Sequence, residues 1–178
     1  MSRVLIDANV LYPTVLREIV IGVAATGYFE PLWSDRILEE WARAAARRAD
    51  EAIARGEIAA LRAAWPAASV TVRPATLERL HLPDPDDRHV LAAAIDGGAE
   101  ALLTMNLQDF PTRVLTAEGV IRRDPDGFLL EALGARPDAV RGVVRDVHAT
   151  ACRLSGEDLP LRGLLKRARL PRLGKALA

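Results

Sequence analysis

Residues 82–98 read "LPDPDDRHVLAAAIDGG", in which Asp84, Asp86 and Asp87 stand directly before an almost unbroken apolar run. The acids and the proline between them fit the first turn of a helix, because carboxylates there cap free N–H groups and interact favourably with the helix dipole. The run "VLAAAI" is apolar nearly all round, which is typical of a buried helix. A buried helix directs its N-terminal acids into a cleft, where carboxylates without a partner are unfavourable. The stretch therefore indicates a helix start, a cation site, or both.

Strand-like runs alternate with helical runs on both sides of this stretch. The predicted strands are "VLID" (4–7), "SVTVRP" (69–74), "ALLTM" (101–105) and "GVIRR" (119–123), and "PLWS" (31–34) fits a strand or a loop. The predicted helices are 17–29 ending at Gly27, 35–56 capped by Ser34 and ending at Gly56, about 57–64, and the run ending at Gly97. This alternation predicts an α/β fold in three layers, α/β/α, with a central parallel sheet.

Beyond about residue 124 the pattern is purely helical. One helical stripe collects the apolar residues Val140, Val143, Val144, Val147, Ala151 and Leu154. A further leucine-rich helix follows and is interrupted by Pro171. We therefore expect an α/β domain over residues 1–124 and a helical, basic C-terminal extension over residues 125–178.

The formal net charge is zero, but the charges are unevenly distributed. Residues 1–134 hold 14 basic and 20 acidic residues, whereas residues 135–178 hold 10 basic and 4 acidic ones. An acidic body fits bound cations and a basic end fits an anionic partner, although a solvated amphipathic face explains the basic end equally well.

Composition disfavours several other classes of protein. Cys152 is the only cysteine, so an internal disulfide or a cysteine metal cluster is excluded. His81, His89 and His148 lack the spacing of a zinc site. The N-terminal residues do not resemble a signal peptide and no stretch reaches 18 apolar residues, so we expect a cytoplasmic protein that does not enter a membrane.

Polar side chains follow the predicted strands at their carboxyl ends. Asp7 ends the most central-looking strand, and Thr104, Asn106 and Asp109 lie in "LLTMNLQDFP" (102–111) at the end of another. Each group alone fits an ordinary strand end or turn. Because ligands of α/β sheets bind beyond the carboxyl ends of the strands, their coincidence with the aspartates of 84–87 indicates one site.

The helix predicted from residue 35 offers two more carboxylates. Its apolar stripe is formed by Ile37, Leu38, Trp41 and Ala45. Glu39 lies about 145° from the centre of this stripe and should point to solvent, whereas Glu40 lies about 115° away, where a side chain can bend into a cleft. Glu40 is therefore the better ligand. A set of oxygen ligands suits Mg²⁺ or Mn²⁺, which can support phosphodiester hydrolysis.

These segments resemble those of the PIN-domain ribonucleases, particularly the VapC-type toxins of bacterial toxin–antitoxin pairs. The matching pieces are "LIDANVLYP", "WSDRILEEW", "PDPDDRHVLAAAI" and "LLTMNLQDFP", in the order that the family has them and over about residues 3–115. The resemblance implies a PIN-like fold with a helical extension, and it implies that the catalytic carboxylates are Asp7, Glu40, Asp87 and Asp109. The first three would hold Mg²⁺ or Mn²⁺.

The supporting polar residues are then Asn9, Thr104, Asn106 and Asp86. Asp86 stays an alternative to Asp87, and the fourth ligand is either Asn106 or Asp109, because many PIN domains have an aspartate where this chain has Asn106.

The resemblance implies a metal-dependent endoribonuclease that acts on RNA, with a cognate antitoxin and a homodimeric state as further expectations. Candidate RNA contacts are Arg17, Arg141 and Arg145. The alternative is a non-catalytic PIN-like module that binds RNA or protein, which the intact acids disfavour. A phosphatase of the haloacid dehalogenase type would need an aspartate in place of Asn9, and no G-x-G-x-x-G motif follows the first strand to bind a dinucleotide.

Overall fold

A computed structural model describes all 178 residues and contains one sheet of five parallel strands. The strands are β1 (Ser2–Ile6), β2 (Phe29–Ser34), β3 (Ser69–Val70), β4 (Ala101–Leu103) and β5 (Ile121–Arg123). Their spatial order is β3-β2-β1-β4-β5, so β1 is the central strand. In the register of the sheet, Leu5 lies opposite Leu32 on one side and Leu102 on the other. The carboxyl ends of these strands therefore meet at one edge.

Eleven α-helices connect and cover the strands. They are α1 (Ala8–Leu11), α2 (Thr14–Ala25), α3 (Asp35–Ala46), α4 (Glu51–Ala64), α5 (Pro74–Glu78), α6 (Arg88–Asp96), α7 (Thr112–Ala117), α8 (Pro125–Ala135), α9 (Pro137–Ser155), α10 (Leu161–Arg167) and α11 (Pro171–Leu177). Because crossovers between parallel strands are right-handed, the helices between β1 and β3 and those between β3 and β5 cover opposite faces. The predicted three-layer α/β/α architecture is confirmed. None of the helices combines the length and apolar character needed to cross a bilayer.

The predicted long helix from Asp35 to Gly56 is instead two helices, α3 and α4. The chain reverses between them with Ala49 in a left-handed conformation, at a φ of 60°. Gly56 lies inside α4, so its assignment as a helix end is wrong. No glycine or proline marks the reversal, and the arginines and alanines around it all favour helix, so the local sequence carries no sign of the break.

Other element bounds also differ from those predicted. Only two residues of "SVTVRP" pair as β3, because Pro74 already begins α5. The helix predicted over 17–29 begins at Thr14 and ends at Ala25, and Phe29 belongs to β2. The short helices α1, α5 and α7 were not predicted, since each is too short to show a helical period.

The helices after β5 share a core with the sheet. A single cluster of 43 buried apolar residues includes Val140 and Val144 of α9 and Leu173 of α11. Helix α9 lies against α2 at Gly22, where an added Cβ would come within 2.5 Å of Val143. The glycine therefore allows the two helices to approach closely. Leu154, at the end of the predicted apolar stripe, is 79% exposed.

Asp126 attaches α11 to α8. The residue before α11 that should cap it is Leu170, which has no side-chain acceptor. The buried carboxylate of Asp126 supplies the cap instead, because its Oδ2 accepts from the backbone N–H of Arg172 and its Oδ1 from that of Leu173, both at 2.9 Å. One side chain thus satisfies two N–H groups in the first turn of α11.

Replacing Asp126 by alanine should lower the free energy of unfolding by about 1–3 kcal/mol, because two buried or half-buried N–H groups lose a charged acceptor. Urea denaturation measures the change. The matched control is Asp158→Ala, which removes an exposed aspartate from the loop after α9 and should change stability by less than about 0.5 kcal/mol. Equal effects of the two substitutions would contradict this account.

Candidate active site

Asp7 lies at the carboxyl end of the central strand and is 6% exposed. Its Oδ1 accepts a hydrogen bond from the backbone N–H of Ala8 at 2.7 Å, and it thereby caps α1. Its Oδ2 accepts from Thr104 Oγ1 at 2.8 Å and from Asn9 Nδ2 at 3.0 Å. Burial raises the pKa of Asp7 above its ordinary value, and the bonds from Thr104 and Ala8 oppose that rise. Nearby Glu40 adds to the rise through its negative charge.

The segment after β4 brings further polar groups beside Asp7. Thr104 is fully buried, and its hydroxyl accepts from the backbone N–H of Asn106 at 3.1 Å. The side chain of Asn9 reaches the same segment, with its Oδ1 accepting from Met105 N at 3.0 Å. These bonds join the start of α1 to the segment after β4 and fix the position of both.

Asn106 and Asp109 lie further along that segment, where a basic side chain holds the backbone. Asn106 Nδ2 donates to Asp109 Oδ2 at 2.8 Å. Arg122 of β5 donates to the carbonyls of Leu107 and Phe110 at 2.7 and 3.1 Å, so it ties this loop to the edge of the sheet. The turn that carries Asp109 is therefore held by hydrogen bonds from Asn106 and from Arg122.

The aspartates of the opening stretch occupy a single 3₁₀ turn, Pro85–Asp87, before α6. Asp84 caps this turn by accepting from the backbone N–H of Asp86 at 2.9 Å. Carboxylate oxygens of Asp84, Asp87 and Asp109 lie within 4.8 Å of one another. Asp86 is exposed and its carboxylate accepts no hydrogen bond, so the structure does not bring it into the cluster.

The pKa of Asp87 is raised to about 6. Burial is the largest cause, followed by the negative charges of Asp7, Asp84, Asp109 and Glu40. Carboxylates from four segments of the chain are therefore close enough for their charges to oppose ionisation of Asp87. An excess of negative charge of this kind favours binding of a cation.

Glu40 and Glu39 point to different neighbours. Glu40 Oε1 is 2.6 Å from Nε2 of His89, a buried residue of α6. Glu39 instead pairs with Arg55 of α4 at 3.0 and 3.1 Å, with both side chains largely in solvent. The two neighbouring glutamates of α3 thus contact different helices, Glu39 contacting α4 and Glu40 contacting α6.

A family model described as a PIN domain matches residues 3–108, which is more than half of the chain. The protein belongs to the PIN-domain family. The matched residues begin in β1 and run through β4 to residue 108, so they include Asn106 and end one residue before Asp109. The resemblance inferred from the sequence motifs is confirmed at the level of the family.

One curated relative comes from Mycobacterium tuberculosis and is named "Putative ribonuclease VapC50". It is 41% identical to this PIN-domain protein over 58 residues, which cover 33% of the chain. The chain thus matches only about a third of the relative's length, 34%. No solved structure matches the chain.

Three residues at or near the carboxylates of this PIN domain were not predicted as part of the site. The spacing of His89 to the other histidines does not fit a metal site, and Asp84 is expected only as a helix cap or as one of the acids of the 84–87 stretch, without a role of its own. Arg122 acts through backbone carbonyls, which no sequence pattern reveals. The available signal for His89 was its place two residues after Asp87, at the start of an apolar helix.

The prediction that Arg17 contacts RNA is wrong. This residue is 3% exposed, and its guanidinium donates to the carbonyls of Leu11 and Tyr12 at 2.7 and 3.1 Å. It also pairs with Glu57 at 3.0 Å and lies over the ring of Trp41. Because these neighbours occupy the guanidinium, Arg17 joins helices of the fold and is not available to a partner. Sequence alone does not distinguish a buried arginine of this kind from an exposed one.

Replacing Asp87 by asparagine should stabilise the metal-free protein. The folded-state pKa of Asp87 is raised to about 6 from 3.8, so ionisation of Asp87 reduces stability as the pH rises between these values. The melting temperature of Asp87→Asn in a chelator should therefore exceed that of the wild type above about pH 6, and the difference should vanish near pH 4. Asp86→Asn, which changes the exposed neighbour, is the matched control and should show no such pH dependence. A lower melting temperature for Asp87→Asn at pH 8 would contradict the repulsion.

Proposed function

We propose that this PIN-domain protein is a divalent-metal-dependent endoribonuclease, and that it is the toxin of a bacterial toxin–antitoxin pair. The observation that carries the proposal is that Asp7, Glu40, Asp87 and Asp109 gather at the carboxyl edge of the sheet, where burial and then the neighbouring negative charges raise the pKa of Asp87 to about 6. Membership of the PIN-domain family and the ribonuclease name of the mycobacterial relative support the choice of reaction.

The chemistry of the donor groups fits a hard divalent cation. The site offers carboxylate oxygens, with no sulfur ligand and with its one histidine already bonded to Glu40. We propose that Asp7, Glu40 and Asp87 hold Mg²⁺ or Mn²⁺. A cation bound there would stabilise negative charge on the phosphate and lower the pKa of a water molecule.

The surrounding residues prepare these carboxylates. Thr104 and Asn9 both donate to Oδ2 of Asp7, which restricts its rotation. Asn106 donates through Nδ2 to Asp109 at 2.8 Å and approaches Asp87 at 3.4 Å, so its amide nitrogen is directed at the two carboxylates. We therefore assign the fourth acidic position to Asp109 and a supporting role to Asn106.

A second ligand set has to be tested beside the first. Asp84, Asp87 and Asp109 have carboxylate oxygens within 4.8 Å of one another, and neither Asp7 nor Glu40 belongs to that group. Asp84 is already used as the cap of the 3₁₀ turn, where it accepts from the backbone N–H of Asp86. We favour the set with Asp7 and Glu40, because the burial of Asp7 excludes water from at least one ligand and strengthens its interaction with a cation.

RNA is the proposed substrate, and an antitoxin protein and a second copy of this chain are proposed partners. The alternative function is a non-catalytic module that binds RNA or protein through the same surface. A module without catalysis has no need of several carboxylates gathered at one partly buried place, so the grouping of Asp87 with Asp7, Asp109 and Glu40 favours the enzyme.

Replacing Asp7 or Glu40 by its amide should weaken Mn²⁺ binding and lower RNA cleavage by about 100-fold or more, because each change removes a charged ligand. Calorimetric titration with Mn²⁺ and cleavage of cellular RNA measure the two effects. Asp84→Asn separates the two ligand sets. It should leave both quantities within a few fold of the wild type.

The matched control is Glu39→Gln, since Glu39 is next to Glu40 and pairs with Arg55 away from the site. Its cleavage rate should stay within about twofold of the wild type. Loss of Mn²⁺ binding in Asp84→Asn together with normal binding in Glu40→Gln would show that the second ligand set is the correct one. Absence of metal-dependent cleavage by the wild-type protein on all RNAs tested would leave the binding module as the better function.

We propose that Arg141 and Arg145 of α9 contact RNA phosphates. Both are exposed, and the nearest acid to Arg145 is Asp146 at 3.7 Å, itself 80% exposed.

Truncation of the extension would remove core residues such as Val144, so substitutions test this contact with RNA more directly. The double variant Arg141→Gln and Arg145→Gln should weaken RNA binding at low salt and flatten the slope of log affinity against log salt by about one unit per lost contact. Arg43→Gln, an exposed arginine of α3, controls for charge; equal slopes in both variants would exclude the contact.

A further inference from the structure

His89 is a buried polar residue whose hydrogen bonding is incomplete. It is the second residue of α6, follows Asp87 by two positions and is 3% exposed. Its Nε2 lies 2.6 Å from Oε1 of Glu40, which comes from α3 and is 49 residues away in the chain. Its Nδ1 is buried without any hydrogen-bond partner, a condition shared only with the indole nitrogen of Trp33.

The neighbours of the His89 ring indicate which of its nitrogens donates a hydrogen bond. The short distance to a carboxylate requires an N–H at Nε2, since two acceptors at 2.6 Å would repel each other. No acceptor is near Nδ1, so a second N–H there would be buried and unpaired. The ring therefore carries a hydrogen on Nε2 that is directed at Glu40.

A histidine in this place has a cost for stability. Leaving Nδ1 buried and unpaired is unfavourable compared with an apolar side chain of similar size, and the neighbours of His89 in α6, Val90 to Ala94, are all apolar and buried. Packing alone would favour leucine here. The hydrogen bond to Glu40 explains why a histidine occupies this position although its Nδ1 is unpaired.

Glu40 is the proposed ligand that most needs support. Asp7 and Asp87 are held by the ends of the elements that carry them, whereas the Glu40 side chain is long, flexible and 37% exposed at the margin of α3. A donor on Oε1 fixes the rotamer and leaves Oε2 free. Bonds of this kind from outside the ligand set orient metal ligands in proteins generally.

We propose that His89 is a positioning residue that holds the Glu40 carboxylate in place for the divalent cation through a hydrogen bond from Nε2. Helix α6 would then arrange two ligands, Asp87 by its own N-terminus and Glu40 through His89. The inference rests on the proposed function, since it assigns to Glu40 the role of a ligand.

The test compares three substitutions in the full-length chain. His89→Leu fills the space without a donor. His89→Gln keeps an N–H group at about the distance of Nε2, and His89→Asn keeps the same amide on a side chain too short to reach Glu40. Calorimetry gives the Mn²⁺ affinity, and thermal unfolding in a chelator gives the stability of the metal-free protein.

His89→Leu and His89→Asn should weaken Mn²⁺ binding by about 10- to 100-fold, and His89→Gln should restore it to within a few fold of the wild type. The metal-free melting temperature of His89→Leu should equal or exceed that of the wild type, because the unsatisfied Nδ1 is gone. If the leucine variant does not fold, the difference between the glutamine and asparagine variants still decides.

Two results would overturn the role of His89. One is Mn²⁺ binding as strong as in the wild type for both His89→Leu and His89→Asn. The other is equal loss of binding in all three variants with a lower metal-free melting temperature, which would make His89 a packing residue. A raised KM for RNA with unchanged Mn²⁺ affinity would instead assign the ring to the substrate. If the wild type binds no Mn²⁺, or Glu40→Gln binds it normally, the proposed function or its ligand set fails, and the inference fails with it.

Discussion

The carboxylate of Asp7 is buried at the end of the central strand, and a buried charge must be balanced by hydrogen bonds. Three donors meet it, from Ala8, Asn9 and Thr104. Thr104 can reach it only because β1 and β4 pair in parallel with Ile6 opposite Leu103, so that the next residue of each strand lies side by side. The register of the sheet therefore determines which donors surround Asp7. A shift of β4 by one residue would turn Thr104 away and leave Asp7 with fewer donors.

The remaining acids add repulsion to this arrangement. Burial and then the charges of Asp7, Asp84, Asp109 and Glu40 raise the pKa of Asp87 to about 6. Such a cluster reduces the stability of the metal-free fold, and the large apolar core around the sheet compensates. The extension contributes to that core through α9 and α11, so the basic end of the chain stabilises the same domain whose acids destabilise it.

The features that the sequence predicts well are those set by periodicity and strand ends. The parallel sheet follows from the alternation of runs, and the different surroundings of Glu39 and Glu40 agree with the angular positions expected on a helix. The features that it misses depend on contacts between distant segments. The pairing of Glu40 with His89 spans 49 residues, Arg17 is buried by carbonyls and by Glu57, and the break before α4 occurs in a run of good helix formers. The sequence around each of these residues does not predict the pairing of Glu40, the burial of Arg17 or the helix break.

Seven polar residues are buried, and their bonding separates two groups. Arg17, Ser34, Thr76 and Asp126 each bond to backbone groups or to side chains that join elements of the fold. Asp7, Thr104 and His89 instead belong to the candidate site, where Thr104 donates to Asp7 and His89 bonds to Glu40. Burial lowers the pKa of Arg17, but its guanidinium is paired with the carbonyl of Leu11 and with Glu57. In the second group, burial raises the pKa of Asp7 and leaves Nδ1 of His89 unpaired. The raised pKa of Asp7 and the unpaired Nδ1 of His89 thus occur together at the carboxyl edge of the sheet, which fits residues retained for chemistry.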